Sequence, residues 1–86
     1  MPKYNVAFAS SSEKELKKLP AQLLARLLPC LENLASNPRP SSCKKLAGGD
    51  GEWRIRVGDY RVVYEIADEI RVVRVNRVRH RHEVYR

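Results

Sequence analysis

The stretch WRIRVGDYRVVYEI, residues 53–66, decides the fold. Its apolar and polar residues alternate with period two, the spacing of a strand whose successive side chains point to opposite faces. Trp53, Ile55 and Val57 fall on one side, and Arg54 and Arg56 on the other. Gly58-Asp59 reads as a two-residue hairpin turn. Beyond it Tyr60, Val62, Tyr64 and Ile66 continue the apolar side, and Arg61, Val63 and Glu65 the opposite one. So tight a turn makes the two strands neighbours, and Arg56 and Arg61 meet across the hairpin. Like charges placed in this way repel. A surface that needed only solvation would scatter such charges or pair them, with Asp59 and Glu65 the nearest acids.

Working outward, Asp68-Glu69 predicts a second tight turn, and IRVVRVNRV (70–78) a third strand of a meander. The middle of that strand is nearly apolar on both faces, so the face it buries is ambiguous. Upstream, KYNVAFA (3–9) reads as a first strand. Ser12 with Glu15 three residues on is a capping-box pattern opening a short helix, with Leu16 and Leu19 on one face. Pro20 suits the first position of a second helix, where its missing amide would be unpaired in any case. In that helix Leu23, Leu27, Leu31 and Leu34 form one apolar stripe flanked by Leu24 and Leu28. Pro29 falls inside it and predicts a kink or a break. Residues 36–52 carry prolines and then glycines and read as loop. The expected architecture is α+β, with two N-terminal helices packed on one face of a small, mostly antiparallel four-stranded sheet, as a single domain over 1–86. Trp53, Tyr60 and Tyr64 are expected to serve packing.

The chain of 86 residues carries a net charge of +7, and residues 71–86 hold six arginines against the one acid Glu83. A positive field so localised selects polyanionic partners. The guanidinium fork suits bidentate phosphate contacts better than an ammonium does, so nucleic acid leads over an anionic membrane or an acidic protein. No apolar run approaches the roughly 20 residues of a membrane span. The N-terminal hydrophobic stretch is too short for a signal-peptide core, and a cytoplasmic location is expected. Cys30 and Cys43 form neither a CxxC pair nor a zinc-ligand pattern and read as two free thiols.

Taken in order, NPRP followed by KKL, WRIRVGDYRVVYEI and the terminal HRHEVYR resemble the RelE/ParE superfamily of toxins from toxin–antitoxin modules, and the RelE branch most closely. The likeness runs from the first strand to Tyr85. The resemblance implies a ribosome-dependent mRNA endonuclease that cuts in the decoding site of the 30S subunit, against 16S rRNA, and is neutralised by a cognate antitoxin. It implies no membrane partner and a toxin that is monomeric when alone. Carried over by position, the hairpin cations around the scissile phosphate are Arg54, Arg56 and Arg61. The final-strand cation is Arg79 or Arg81, and the tyrosine that orients the RNA is Tyr85. Lys44, Lys45, Arg77, His82 and Arg86 are further candidates for RNA contact.

RNA supplies its own nucleophile, the 2′-hydroxyl beside the scissile phosphate. Such a protein must align it with the leaving 5′-oxygen, neutralise charge on the phosphate oxygens and move two protons. No cofactor or metal is expected, since no Asp/Glu cluster has the character of a Mg²⁺ site and His80 with His82 lacks a third ligand. Arg56 and Arg61 are assigned to the phosphate oxygens, and Tyr85 to stacking on or hydrogen-bonding a base. Several relatives have lysine where this chain has Arg54 and Arg56. Arginine stays protonated and makes a poor base, so the proton carrier expected on chemical grounds is His80. Two alternatives stand beside this reading. One is a ParE-like inhibitor of DNA gyrase that binds without cutting RNA, and the other a non-catalytic nucleic-acid-binding partner.

Overall fold

The computed structural model describes residues 3–47 and 51–80. Among the described residues seven elements follow one another: β1 (Asn5–Phe8), α1 (Ser10–Lys17), α2 (Ala21–Asn33), β2 (Lys44–Lys45), β3 (Glu52–Val57), β4 (Tyr60–Ala67) and β5 (Val72–His80). The hairpin of β3 and β4 has the expected register, with Trp53 opposite Tyr64, Ile55 opposite Val62 and Arg56 opposite Arg61. Gly58 takes a φ of 59° at the first turn position, the left-handed conformation that a type II′ hairpin turn requires there. The sheet order is β1-β5-β4-β3-β2, with β1 parallel to β5 and the other pairs antiparallel. Both helices pack on one face. Leu27, Leu31 and Leu34 of the α2 side meet Ile55, Val62, Tyr64, Val73, Val75 and Val78 of the sheet, all buried, with Leu16 and Leu19 packed against the same core.

Four features differ from the expectation. The sheet has five strands, because Lys44 and Lys45 pair with Arg54 and Trp53 instead of lying in a loop. A two-residue edge strand is too short to show a period. Ile70 is 70% exposed in a turn closed by Arg71, whose φ of 54° is left-handed, and β5 starts only at Val72. Pairing of Ala67 with Val72 leaves four residues for that turn. Pro20 is the N-cap of α2, and the helix runs unbroken through Pro29. Leucines on both sides of the proline are buried in the core, which outweighs one lost backbone hydrogen bond.

The fourth difference is the most consequential. Ser12 and Glu15 do not cap α1, whose N-cap is Ala9 without a side-chain cap. The short strand β1 covers β5 only as far as Val75. Beyond that point the backbone edge of β5 needs other partners, since buried peptide groups must be paired, and α1 supplies them. Ser12 Oγ lies 2.8 Å from the carbonyls of both Ala9 and Val75, and Ser11 Oγ donates to the Asn76 carbonyl at 2.8 Å. Glu15 Oε1 accepts the Val78 amide at 2.8 Å. The S-x-x-E spacing thus fastens a helix to a strand edge.

The ambiguity of the last strand is resolved by a bulge. Tyr64 pairs with Val75 and Val63 with Arg77, so Asn76 is an extra residue. Without it, strict alternation from Val73 and Val75 would carry Arg77 and Arg79 into the core. With it, Val78 points inward and is 3% exposed, and Arg77 and Arg79 turn to the open face. The bulge is held on both sides. Asn76 Nδ2 donates to Glu52 Oε2 at 3.1 Å and to Glu65 Oε1 at 2.8 Å, while its carbonyl takes the Ser11 bond.

The segment before β2 is tied to the sheet by a polar cluster. Arg39 makes a two-point contact with Asp68, at 3.3 and 2.8 Å, and Tyr4 Oη donates to the same carboxylate at 2.6 Å. The Arg39 guanidinium also lies over the Trp53 ring, 5.3 Å from its centroid. The Tyr64 hydroxyl donates to the Pro38 carbonyl at 2.8 Å, and burial raises its pKa above the ordinary tyrosine value. The hydrogen bonds from Arg39, then from Tyr4, lower the Asp68 pKa to about 2. A carboxyl depressed on folding stabilises the fold above its unfolded pKa of about 3.9. That contribution is lost as the pH falls through about 2. Thermal melts between pH 4 and 2 are therefore expected to fall less steeply for Asp68→Asn than for the wild type, and parallel curves would remove Asp68 from the acid response.

Candidate nucleic-acid interface

The open face of the sheet is organised in rows that run across the strands. Arg56 pairs with Arg61 and Arg61 with Arg79, so three arginines stand side by side on β3, β4 and β5. In the next row Lys44, Arg54, Val63 and Arg77 follow one another from β2 to β5. Strands lie about 4.8 Å apart and alternate residues about 7 Å apart along a strand, so these cations occupy one compact patch. The third row changes sign: Glu52 pairs with Glu65 under the Asn76 amide, and Glu65 with Arg74. The face is therefore basic toward the hairpin turn and acidic toward the other end. A polyanion lying across it has one favourable end.

Direct apposition of arginines costs stability. One carboxylate relieves it at the β5 side: Glu15 Oε2 accepts from Arg79 Nε at 3.0 Å and from Arg77 Nη1 at 3.4 Å. A polar groove of about 550 Å³ opens here, with Lys14, Glu15 and Lys18 of the α1 side facing Arg77 and Arg79. Arg56 is exposed at the β3 end of its row, and Arg54 and Arg61 are half-buried.

The structure brings together Arg54, Arg56, Arg61, Arg77, Arg79 and Lys44. It separates Lys45, which pairs with Trp53 and so takes the opposite parity from Lys44. It also separates His80. The His80 ring meets Tyr60 edge-on at 5.3 Å and lines a hollow of about 340 Å³ with Leu23, Leu27 and Val57, on the helix side of the sheet. The same parity that turns Arg79 outward turns His80 away from the arginine row. Arg79, one of the two candidates for the final-strand cation, stands in the row. Arg81, His82, Tyr85 and Arg86 lie outside the described residues. Among the described residues no group of three His, Cys, Asp or Glu side chains is placed to hold a metal ion, and no helix is long and apolar enough to cross a membrane. Cys30 and Cys43 are free thiols.

Glu15 and Asn76 were not legible as site residues. The signal for Glu15 was present in the capping-box spacing but pointed elsewhere, and Asn76 showed only as a polar interruption in a valine-rich strand.

A family described as the ParE toxin of the type II toxin–antitoxin system, parDE, matches residues 6–85 of the chain. The chain belongs to the RelE/ParE toxin family. Toxin RelG of Mycobacterium tuberculosis is 32% identical over 84 residues, which cover 96% of this chain and 97% of RelG. Among solved structures, the toxin–antitoxin complex RelBE2 from the same organism contains a similar chain, with a TM-score of 0.81 and 33% identity over 92% of this chain and 99% of that one. The archaeal RelE–RelB complex from Pyrococcus horikoshii gives 0.81 and 29% identity, over 94% and 97% respectively. This RelE/ParE member is thus a toxin of a type II toxin–antitoxin system, of the RelE kind. Its basic face is built from a hairpin and a bulged last strand, and the acidic third row bounds it.

Proposed function

We propose that this RelE-family toxin is a ribosome-dependent mRNA endonuclease, acting in the decoding site by attack of the RNA 2′-hydroxyl on the scissile phosphate. The observation that carries the proposal is the row Arg56–Arg61–Arg79, three permanent cations set side by side on an open sheet face. Such an array has the geometry to hold phosphate oxygens and to stabilise the charge that builds on them in the transition state. Arg56 and Arg61 grip the non-bridging oxygens and Arg79 adds charge at the β5 side. Lys44, Arg54 and Arg77 hold the neighbouring backbone. Tyr85 stacks on or hydrogen-bonds a base. Arginine takes no proton at any working pH, so the row acts through charge and position alone; as the 2′-oxygen bonds to phosphorus the bond to the 5′-oxygen breaks, the 2′-hydroxyl proton passes to solvent water and the departing 5′-oxygen takes one from it. A RelB-like antitoxin is the regulatory partner, as in the complexes of the similar toxins. The ParE description of the matching family supports a second reading, inhibition of DNA gyrase by binding without cutting RNA.

Toeprinting of mRNA on ribosomes with the purified toxin separates the two. New cuts confined to the decoding site are expected. Inhibition of supercoiling with intact mRNA would transfer the protein to the gyrase reading.

A further inference from the structure

We infer that Glu15 is a positioning residue that fixes Arg79 in the arginine row, an assignment that rests on the endonuclease reading. The arginine row contains a conflict of charge. The register sets Arg79 directly opposite Arg61, and like charge on that neighbour favours conformers in which the long Arg79 side chain swings away into solvent. An arginine that swings contributes little to a transition state, because positional error of about 1 Å costs as much as 100-fold in rate.

Glu15 counters this from a well-anchored position. Its side chain is only 19% exposed, and its two oxygens divide their work. Oε1 accepts the Val78 amide at 2.8 Å, which ties the carboxylate to the backbone of the residue preceding Arg79. Oε2 accepts from Arg79 Nε at 3.0 Å, and Arg77 Nη1 approaches the same oxygen at 3.4 Å. The bond to Arg79 engages Nε and leaves the terminal Nη1 and Nη2 donors for a phosphate, the bidentate arrangement that guanidinium groups favour. The carbonyls of Val75 and Asn76 are held to Ser12 and Ser11 of the same helix. Helix, strand edge and guanidinium therefore form one rigid unit across the bulge. Glu15 touches no substrate and acts through Arg79.

The test turns on a contradiction of signs. Glu15→Gln keeps one oxygen for the Val78 amide but turns an amide NH₂ toward Arg79, so it removes the arginine's partner and leaves the backbone tie. It also removes a negative charge from a chain that already carries +7. Electrostatics alone predicts tighter RNA binding and no loss of rate, whereas positioning predicts slower cleavage at saturating ribosomes. Single-turnover cleavage of ribosome-bound mRNA by Glu15→Gln is expected to fall about 10-fold or more, with KM unchanged or lower. In the Arg79→Ala background the same substitution should have no further effect. Hydrogen exchange of Arg79 Nε–H, followed by ¹⁵N NMR on the free toxin, is expected to be slow in the wild type and fast in Glu15→Gln. A wild-type cleavage rate in Glu15→Gln, or an equal loss with and without Arg79, would overturn the assignment, as would unchanged Nε–H exchange. If the wild-type toxin leaves the mRNA uncut, the endonuclease reading falls, and the NMR measurement alone decides whether Glu15 holds Arg79.

Discussion

Arg61→Ala is expected to lower the single-turnover rate of mRNA cleavage on the ribosome by about 100- to 1,000-fold, the loss typical of removing one preorganised charge donor. Arg61 is the middle member of the row, with Arg56 on one side and Arg79 on the other. From that position a guanidinium is placed to share a phosphate with either neighbour. Its loss leaves two cations separated by a vacant strand position, so neither can take over both its oxygens. Two controls give the prediction its meaning. Lys44→Ala, in the second row, removes a backbone contact and should weaken binding and reduce its salt dependence by about one ion while leaving the saturated rate nearly unchanged. His80→Ala should leave the rate within a few-fold, because that ring lies with Tyr60 on the helix side of the sheet. A loss at His80 comparable to that at Arg61 would show that the chemistry is not centred on the row.

The expected contrast between Arg61 and His80 also shows where sequence reasoning is strong and where it fails. Period-two alternation determined the hairpin completely, because one face must be buried and a slip of one residue would invert every side chain. Trp53 to Ile66 therefore fell in place, and with them Arg54, Arg56 and Arg61 on the open face. The leucine stripe of α2 was equally legible, since three of its four members are buried. The last strand was not. Its valines satisfy either parity, and the parity is chosen by Asn76, one residue whose role depends on Glu52, Glu65 and Ser11 from three other elements. The placement of His80 was hidden in the same way, because the bulge that turns Arg79 outward turns His80 to the helix side. The S-x-x-E spacing failed for a similar reason. Local sequence shows that Ser12 and Glu15 can reach a backbone edge, but not that β1 ends early and leaves the edge of β5 to be covered. Non-local pairing decides both cases.

The same dependence on one packed layer gives the second large effect. Leu31→Ala is expected to destabilise the toxin by about 3 kcal/mol, within the range of roughly 2–5 kcal/mol for a large-to-small change at a closed site. Leu31 is 1% exposed and lies between Leu27 and Leu34, which are also 1% exposed, so the space it leaves can be filled only by moving α2 against the sheet. Pro29, two residues before it, already deprives that helix of a hydrogen bond. A domain of this size has on the order of 4–13 kcal/mol of stability in total, so the substitution removes a large share of it. The melting temperature should fall by about 12–24 °C. Leu28→Ala provides the comparison in the same helix, because Leu28 is 40% exposed and its truncation leaves no enclosed cavity. Its cost should stay below about 1 kcal/mol. Chemical denaturation of the two purified variants measures the difference, and equal losses would mean that α2 is not seated on the sheet by the Leu27–Leu31–Leu34 stripe. The seating bears on activity only through folding. The inner faces of β4 and β5 are the underside of the arginine row, and Val62 and Val78 beneath it are 0% and 3% exposed. Leu31→Ala should therefore lower activity only in proportion to the unfolded fraction, and cleavage measured well below its melting temperature should approach the wild-type rate.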